Sequence, residues 1–154
     1  MKPVLAKKYI VSVFGVVVTV GMLQFAVLST SHGHGDVTPQ AVDVEGLEPT
    51  GEAFLEENPY RLAGGEQYDL AIEIGASGYN QNCARCHGLE VISGGIAPDL
   101  RLLEDDAFGD EWYMERVRKG YSQNGAYKMP PFQDLLSQEA MWAIRSYIES
   151  RPKP

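Results

Sequence analysis

Two cysteines and a histidine, Cys83-Ala84-Arg85-Cys86-His87, constrain this chain more than any other feature. The spacing Cys-x-x-Cys-His is that of c-type haem attachment. Thiols three residues apart lie on one face of a helical turn, where they can add to the two vinyl groups along one haem edge. The histidine follows at once and carries its imidazole under the ring to the iron. Other uses of the spacing need surroundings that this sequence lacks. A redox dithiol wants a strand–helix context, and a zinc site wants four ligands, of which only Cys83, Cys86 and His87 are local. The motif occurs once and no internal repeat is visible, so one haem c is expected. It also uses both cysteines, so no disulfide framework remains. The porphyrin itself supplies a large apolar body for a small core to close on.

The N-terminus reads as a targeting segment covering residues 1–31. Lys2, Lys7 and Lys8 are followed by twenty uncharged residues, Tyr9 to Leu28, and Ser29-Thr30-Ser31 offers small residues for a cut before His32. Twenty such residues are also enough to span a bilayer, so a retained anchor is the alternative; Gly15, Gly21 and Gln24 dilute the stretch and favour cleavage. Either way the basic end stays in the cytoplasm and the remainder is exported, with the periplasm as the expected location. Without the three lysines, ten basic residues face 21 acidic ones, a net charge of −11. Nucleic acid, which wants a basic face, is thereby disfavoured, and so is an anionic membrane surface.

Residues 32–63 are rich in glycine, proline and acids and read as an extended acidic segment draped over the domain that follows. His32 and His34, set among glycines, read as a flexible new N-terminus rather than a preorganised metal site. Asn58-Pro59-Tyr60 closes the segment as a turn or extended piece. From Glu66 to Asn82 the pattern is helical, with Tyr68, Ile72, Gly75 and Tyr79 on one stripe. A mid-helix glycine costs about 1 kcal/mol against alanine, which a close helix crossing at Gly75 would offset. The loop Gly94-Gly95-Ile96-Ala97-Pro98-Asp99-Leu100 presents a carbonyl at Pro98. That carbonyl either accepts from the far nitrogen of His87 or belongs to a plain turn. Acids at Glu104-Asp105-Asp106 and Asp110-Glu111 suit the start of a helix with Trp112, Tyr113 and Val117 on its apolar side, ended by Gly120. An irregular loop, 121–132, follows. Ser137 caps a last helix with Met141, Ile144, Tyr147 and Ile148 inward, stopped by Pro152.

One histidine leaves the sixth iron position to fill. Met1 and Met22 belong to the export segment, and Met114 and Met141 fall in helical patterns, where methionine usually fills core space. Met129 lies in a loop before two prolines that would hold its backbone extended, and Met/His ligation typifies electron-carrying cytochromes c. Met129 is therefore the expected second axial ligand beside His87.

With these residues in hand, the stretch 64–151 resembles a class I cytochrome c domain, followed by a short tail, 152–154. The resemblance rests on Gly75 and Tyr79 ahead of the Cys-x-x-Cys-His motif, Pro98 in its loop, Met129-Pro130, and Ile144 with Tyr147 in the closing helix. It implies an all-α fold wrapped around one covalent haem, with the first and last helices crossing at those residues. It also implies that the Pro98 carbonyl holds the haem histidine. Asn58-Pro59-Tyr60, the Gly94–Leu100 loop and the acidic lead look similar to cytochromes c-550 and cL, which accept electrons from pyrroloquinoline quinone (PQQ) alcohol dehydrogenases. The resemblance thus implies an electron carrier, not an enzyme. Its donor would be such a dehydrogenase, a downstream cytochrome or oxidase would take the electron, and the docking patch would include Ile96, Ala97 and Pro130. Two alternatives stay open: a membrane-tethered haem c subunit of a larger oxidoreductase, and a haem peroxidase or ligand sensor with an open iron position. No residues select a calcium site.

Overall fold

The computed structural model describes residues 39–154. The export segment, His32 and His34, and Met1 and Met22 lie outside the described residues. Side-chain caps set the starts of three of the α-helices. Asn58 accepts from the N–H groups of Tyr60 (3.1 Å) and Arg61 (3.5 Å), and with Pro59 at the first helical position it opens α1 (Pro59–Ala63). Asn58-Pro59-Tyr60 is thus a helix start rather than a turn. Next come α2 (Gly65–Asn82) and the single turn α3 (Ala84–His87). Asp106 caps α4 (Ala107–Lys119) by accepting from Gly109 N–H at 3.0 Å. Ser137 caps α5 (Gln138–Glu149) by accepting from Ala140 N–H at 3.2 Å.

The fold turns on the packing of α2 against α5. Ala143 and Ile144 of α5 press on Gly75, where a Cβ would run into the Ala143 carbonyl. One turn on, the position a Cβ would take at Gly78 is 3.0 Å from Ile144 Cγ1 and 3.1 Å from Val42 Cγ2. Tyr79 and Tyr147 complete the crossing with ring centroids 5.4 Å apart. Met141, Trp142, Ile144 and Ile148 are almost fully buried, each contributing about 1.5–3 kcal/mol through removal from water.

α5 is buried on its polar side as well, and residues 39–63 are what cover it. Gln138 uses its side-chain amide like a peptide group, accepting from Leu55 N–H (2.6 Å) and donating to the Ala53 carbonyl (3.0 Å). Glu139 accepts from Thr50 N–H (2.9 Å) and Thr50 Oγ1 (2.8 Å). Leu47 and Tyr60 join the main hydrophobic core. At its other end the segment meets Asn82: Gln40 N–H donates to Asn82 Oδ1 (2.7 Å) and Asn82 Nδ2 to the Gln40 carbonyl (3.1 Å).

Asp110, which the sequence groups with surface acids, is interior. Fully buried, it accepts from Arg61 (2.6 Å), Arg145 Nε (2.8 Å) and Asn58 N–H (2.9 Å). The stretch after α4 is not irregular either. β1 (Tyr121–Gln123) and β2 (Ala126–Met129) pair antiparallel around Asn124-Gly125, both at positive φ (53° and 76°). These are the angles a two-residue hairpin with the right-handed strand twist demands.

Candidate functional site

The Cys-x-x-Cys-His motif folds as a continuation of α2. Cys83 N–H donates to the Tyr79 carbonyl at 2.8 Å, and the N–H groups of Cys86 and His87 both donate to the Cys83 carbonyl, at 3.1 and 3.0 Å. The turn sets both cysteines on one side of the helix. Neither is in a disulfide. Burial, with Cys86 adding to it, pushes the Cys83 thiol up to about 12. A redox dithiol works the other way, by stabilising a thiolate. Cys83 thus presents a neutral thiol.

His87 is half-buried, and its Nδ1 lies 2.9 Å from the Pro98 carbonyl oxygen. A carbonyl only accepts, so Nδ1 carries the proton and Nε2 keeps its lone pair. Burial lowers the imidazole pKa, and the carbonyl only partly opposes it, so the ring is neutral, the form that binds a metal. Pro98 is itself held in place. Ser93 Oγ donates to the Ala97 carbonyl at 2.6 Å, and on the far side Asp99 accepts from Arg101 N–H at 3.1 Å and pairs with its guanidinium at 2.7 Å.

Met129 ends β2, half-buried against the core. Its placement depends on Gly120, the cap of α4 at φ 70°. A Cβ there would be 2.8 Å from both Pro130 C and Pro131 N and would strike the Met129 carbonyl. The Met129–Pro131 backbone thus lies directly on the end of α4, tied by Phe132 N–H to the Val117 carbonyl at 2.9 Å. Met114 and Met141 are core residues, 5% and 0% exposed.

Between His87 and α4, the apolar side chains Leu89, Ile92, Ile96 and Leu102 are more than half exposed, as is Tyr127 on the hairpin. Exposed apolar side chains in this number are surface that a large apolar group or a partner would cover. Two cysteines on one helical turn, an imidazole nitrogen and a thioether are a set of groups that fits haem c. The structure groups Cys83, Cys86, His87 and Pro98 in one hydrogen-bonded cluster and fixes Met129 separately, at the end of β2 against the C-terminus of α4. Sequence reasoning missed the phenol of Tyr79, which donates to the Gly88 carbonyl at 2.8 Å just beyond His87. The only signal was a tyrosine where a purely apolar stripe would take phenylalanine.

A family described as cytochrome c oxidase, cbb3-type, subunit III, matches residues 70–148. Cytochrome c550 of Pseudomonas aeruginosa is 62% identical over 133 residues, covering 84% of this chain and 91% of that protein. Quinohemoprotein alcohol dehydrogenase ADH IIB of Pseudomonas putida is 36% identical over 80 residues, 52% of this chain but 11% of that protein. The cbb3-type cytochrome c oxidase subunit FixP of Rhizobium meliloti is 27% identical over 124 residues, 72% of this chain and 39% of that protein. No solved structure gave a match.

Proposed function

This chain belongs to the cytochrome c family, and from that premise we propose that His87 and Met129 are its axial iron ligands and a quinoprotein alcohol dehydrogenase its electron donor. Membership makes it a mono-haem electron carrier with covalently bound haem c, not an enzyme. Cys83 and Cys86 supply the thioethers. When bound, the haem cycles its iron between the ferric and ferrous states. The protein does the rest. The Pro98 carbonyl fixes the tautomer and plane of His87 and raises its basicity. Gly120 and the two prolines hold the Met129 thioether in place, and Ile96, Ala97 and Pro130 belong to the docking surface.

The single observation that carries the ligand reading is the 2.9 Å contact from His87 Nδ1 to the Pro98 carbonyl. The donor reading is supported by the stretch of similar sequence within the quinohemoprotein alcohol dehydrogenase, and export by the basic, then uncharged, start of the chain. The folded unit then includes residues 39–63, which cover α5. The family matched here also favours a second reading, a haem subunit anchored in an oxidase. No helix among the described residues is long and apolar enough to cross a membrane, so N-terminal analysis of the purified protein separates the two.

Met129→Ala is expected to attach haem yet lose the sulfur–iron charge-transfer band of the oxidised protein, to bind carbon monoxide when reduced, and to have a lowered potential. If the band survives in Met129→Ala and disappears in Met114→Ala, the ligand assignment is wrong. The donor is tested by stopped-flow reduction with quinoprotein dehydrogenases and their alcohols. Glu104, Asp105 and Asp106 are exposed, and clustered charge of one sign steers encounter. Salt should slow this reduction, since the Debye length falls from about 10 Å at 0.1 M to about 3 Å at 1 M. Replacing the three acids by amides should lower the rate severalfold and flatten its salt dependence. Asparagine at 106 still caps α4, while Asp105 gives up its ion pairs with Lys153 (3.1 Å) and Arg145 (4.0 Å) along with its charge. A rate indifferent to salt and to the triple change would leave these acids as solvated surface.

A further inference from the structure

The turn that follows His87 is held in a conformation that side chains avoid. Gly88 has φ 85°, and a Cβ there would run into the Ile92 carbonyl. Glu90 and Val91 follow at φ 54° and 67°. A β-branched residue in the left-handed region is a true outlier, and such backbone persists only where its surroundings over-determine it. Four restraints are visible. Val91 is fully buried. Ile92 N–H closes on the Leu89 carbonyl at 3.0 Å. Arg151 pairs with Glu90 at 3.3 Å, at the surface. Finally, the Tyr79 hydroxyl donates to the Gly88 carbonyl at 2.8 Å.

The last of these differs in kind, because it reaches the turn from the helix crossing. The Tyr79 ring is fully buried, 5.4 Å from Tyr147, and its phenol comes from the turn of α2 just before Cys83. Gly88 N–H in turn donates to the Ala84 carbonyl at 2.8 Å, closing α3 over the motif. We propose that the Tyr79 hydroxyl is a positioning group for His87: by holding the Gly88 carbonyl it fixes the turn that leaves His87 and so the backbone beside the imidazole, while Pro98 fixes the ring. Two independent restraints, one on the backbone and one on Nδ1, then set the angle at which Nε2 meets the iron. Burial keeps the phenol protonated, so the donor is always present. The proposal rests on His87 being an iron ligand.

Tyr79→Phe keeps the ring and removes the hydroxyl; Tyr147→Phe, altered at the other ring of the pair, is the control. In the oxidised wild type, iron should shift the His87 ring protons strongly in the proton NMR spectrum. Tyr79→Phe should move those resonances and the midpoint potential, whereas Tyr147→Phe should leave both in place even if it lowers the melting temperature equally. Unmoved resonances and potential in Tyr79→Phe overturn the proposal and leave the ligand reading intact. A wild type without shifted His87 protons overturns the ligand reading and the proposal with it. Should the variant fail to attach haem, the wild type still decides. A Tyr79 hydroxyl proton that exchanges slowly and shows a cross-peak to Gly88 supports the proposal, and one lost to fast exchange defeats it.

Discussion

Gly75→Ala should destabilise the protein, although alanine is the better helix former by about 1 kcal/mol. On an open helix face the substitution would raise the melting temperature. Here the new methyl would collide with the Ala143 carbonyl and come within 3.0 Å of Ile144 N. Those atoms belong to the backbone of a helix that is buried almost throughout, so no rotamer change relieves the clash. Overpacking in a well-packed core typically costs about 1–3 kcal/mol. Alanine here belongs at the upper end, with a fall in melting temperature on the order of 10 °C. Gly75→Leu should prevent α2 and α5 from closing. Gly94→Ala is the matched control, since a Cβ there meets nothing within 4 Å. Thermal melts followed by circular dichroism decide the matter. A Gly75→Ala protein at least as stable as wild type would mean that the two helices do not touch at this point.

That crossing was legible in the sequence because both of its sides carry periodic signals: Gly75 and Tyr79 on one stripe, Ile144 and Tyr147 on the other. The haem turn was legible for a stronger reason, since its chemistry fixes the spacing of three residues. The hairpin bore a readable sign as well. Asn124-Gly125 is a strong short-range hairpin signal, but its flanks are exposed and lack the alternation that marks a half-buried strand. Gly78 shares the face of Gly75 three residues on, where it meets Ile144, but nothing in the sequence pattern marks it out. The coverage of α5 by residues 39–63 had no periodic signature. It depends on polar pairings across 83 to 91 residues of chain, such as Leu55 with Gln138 and Asn58 with Glu149. A sequence shows which residues are charged; which charges will meet indoors depends on the finished fold. Asp110 shows this best. Beside Glu111 at the start of a helix it looks like a solvated acid, and it is one of the most deeply buried groups in the protein.

Asp110→Asn should be the most damaging near-isosteric change available outside the haem site. The carboxylate sits between two guanidinium groups, Arg61 at 2.6 Å and Arg145 at 2.8 Å. The same two arginines also reach Glu149, at 2.7 and 3.0 Å. Two positive and two negative charges thus close a neutral cluster that joins α1, α4 and α5. The amide removes one negative charge and turns a donor toward donors, leaving Glu149 as the one buried carboxylate to balance both Arg61 and the wholly buried Arg145. Removing one partner of a buried pair costs about 3–5 kcal/mol, while replacing a whole pair by apolar groups is often neutral. Arg145→Met added to Asp110→Asn should therefore recover much of the loss, because Arg61 and Glu149 remain balanced. The dependence on pH has a definite sign. Burial alone would raise the Asp110 carboxyl, but the hydrogen bonds from Arg61, Arg145 and Asn58 outweigh it and hold the group below the usual carboxylate range. A depressed folded pKa adds stability that is complete above the unfolded value of about 3.9 and fades as pH falls through the folded one. Guanidinium unfolding should accordingly show a wide gap between wild type and Asp110→Asn at pH 7, narrowing toward pH 2. A gap that is absent at pH 7, or a double variant no more stable than the single, would show that the ion cluster contributes nothing to holding α1 against α4 and α5.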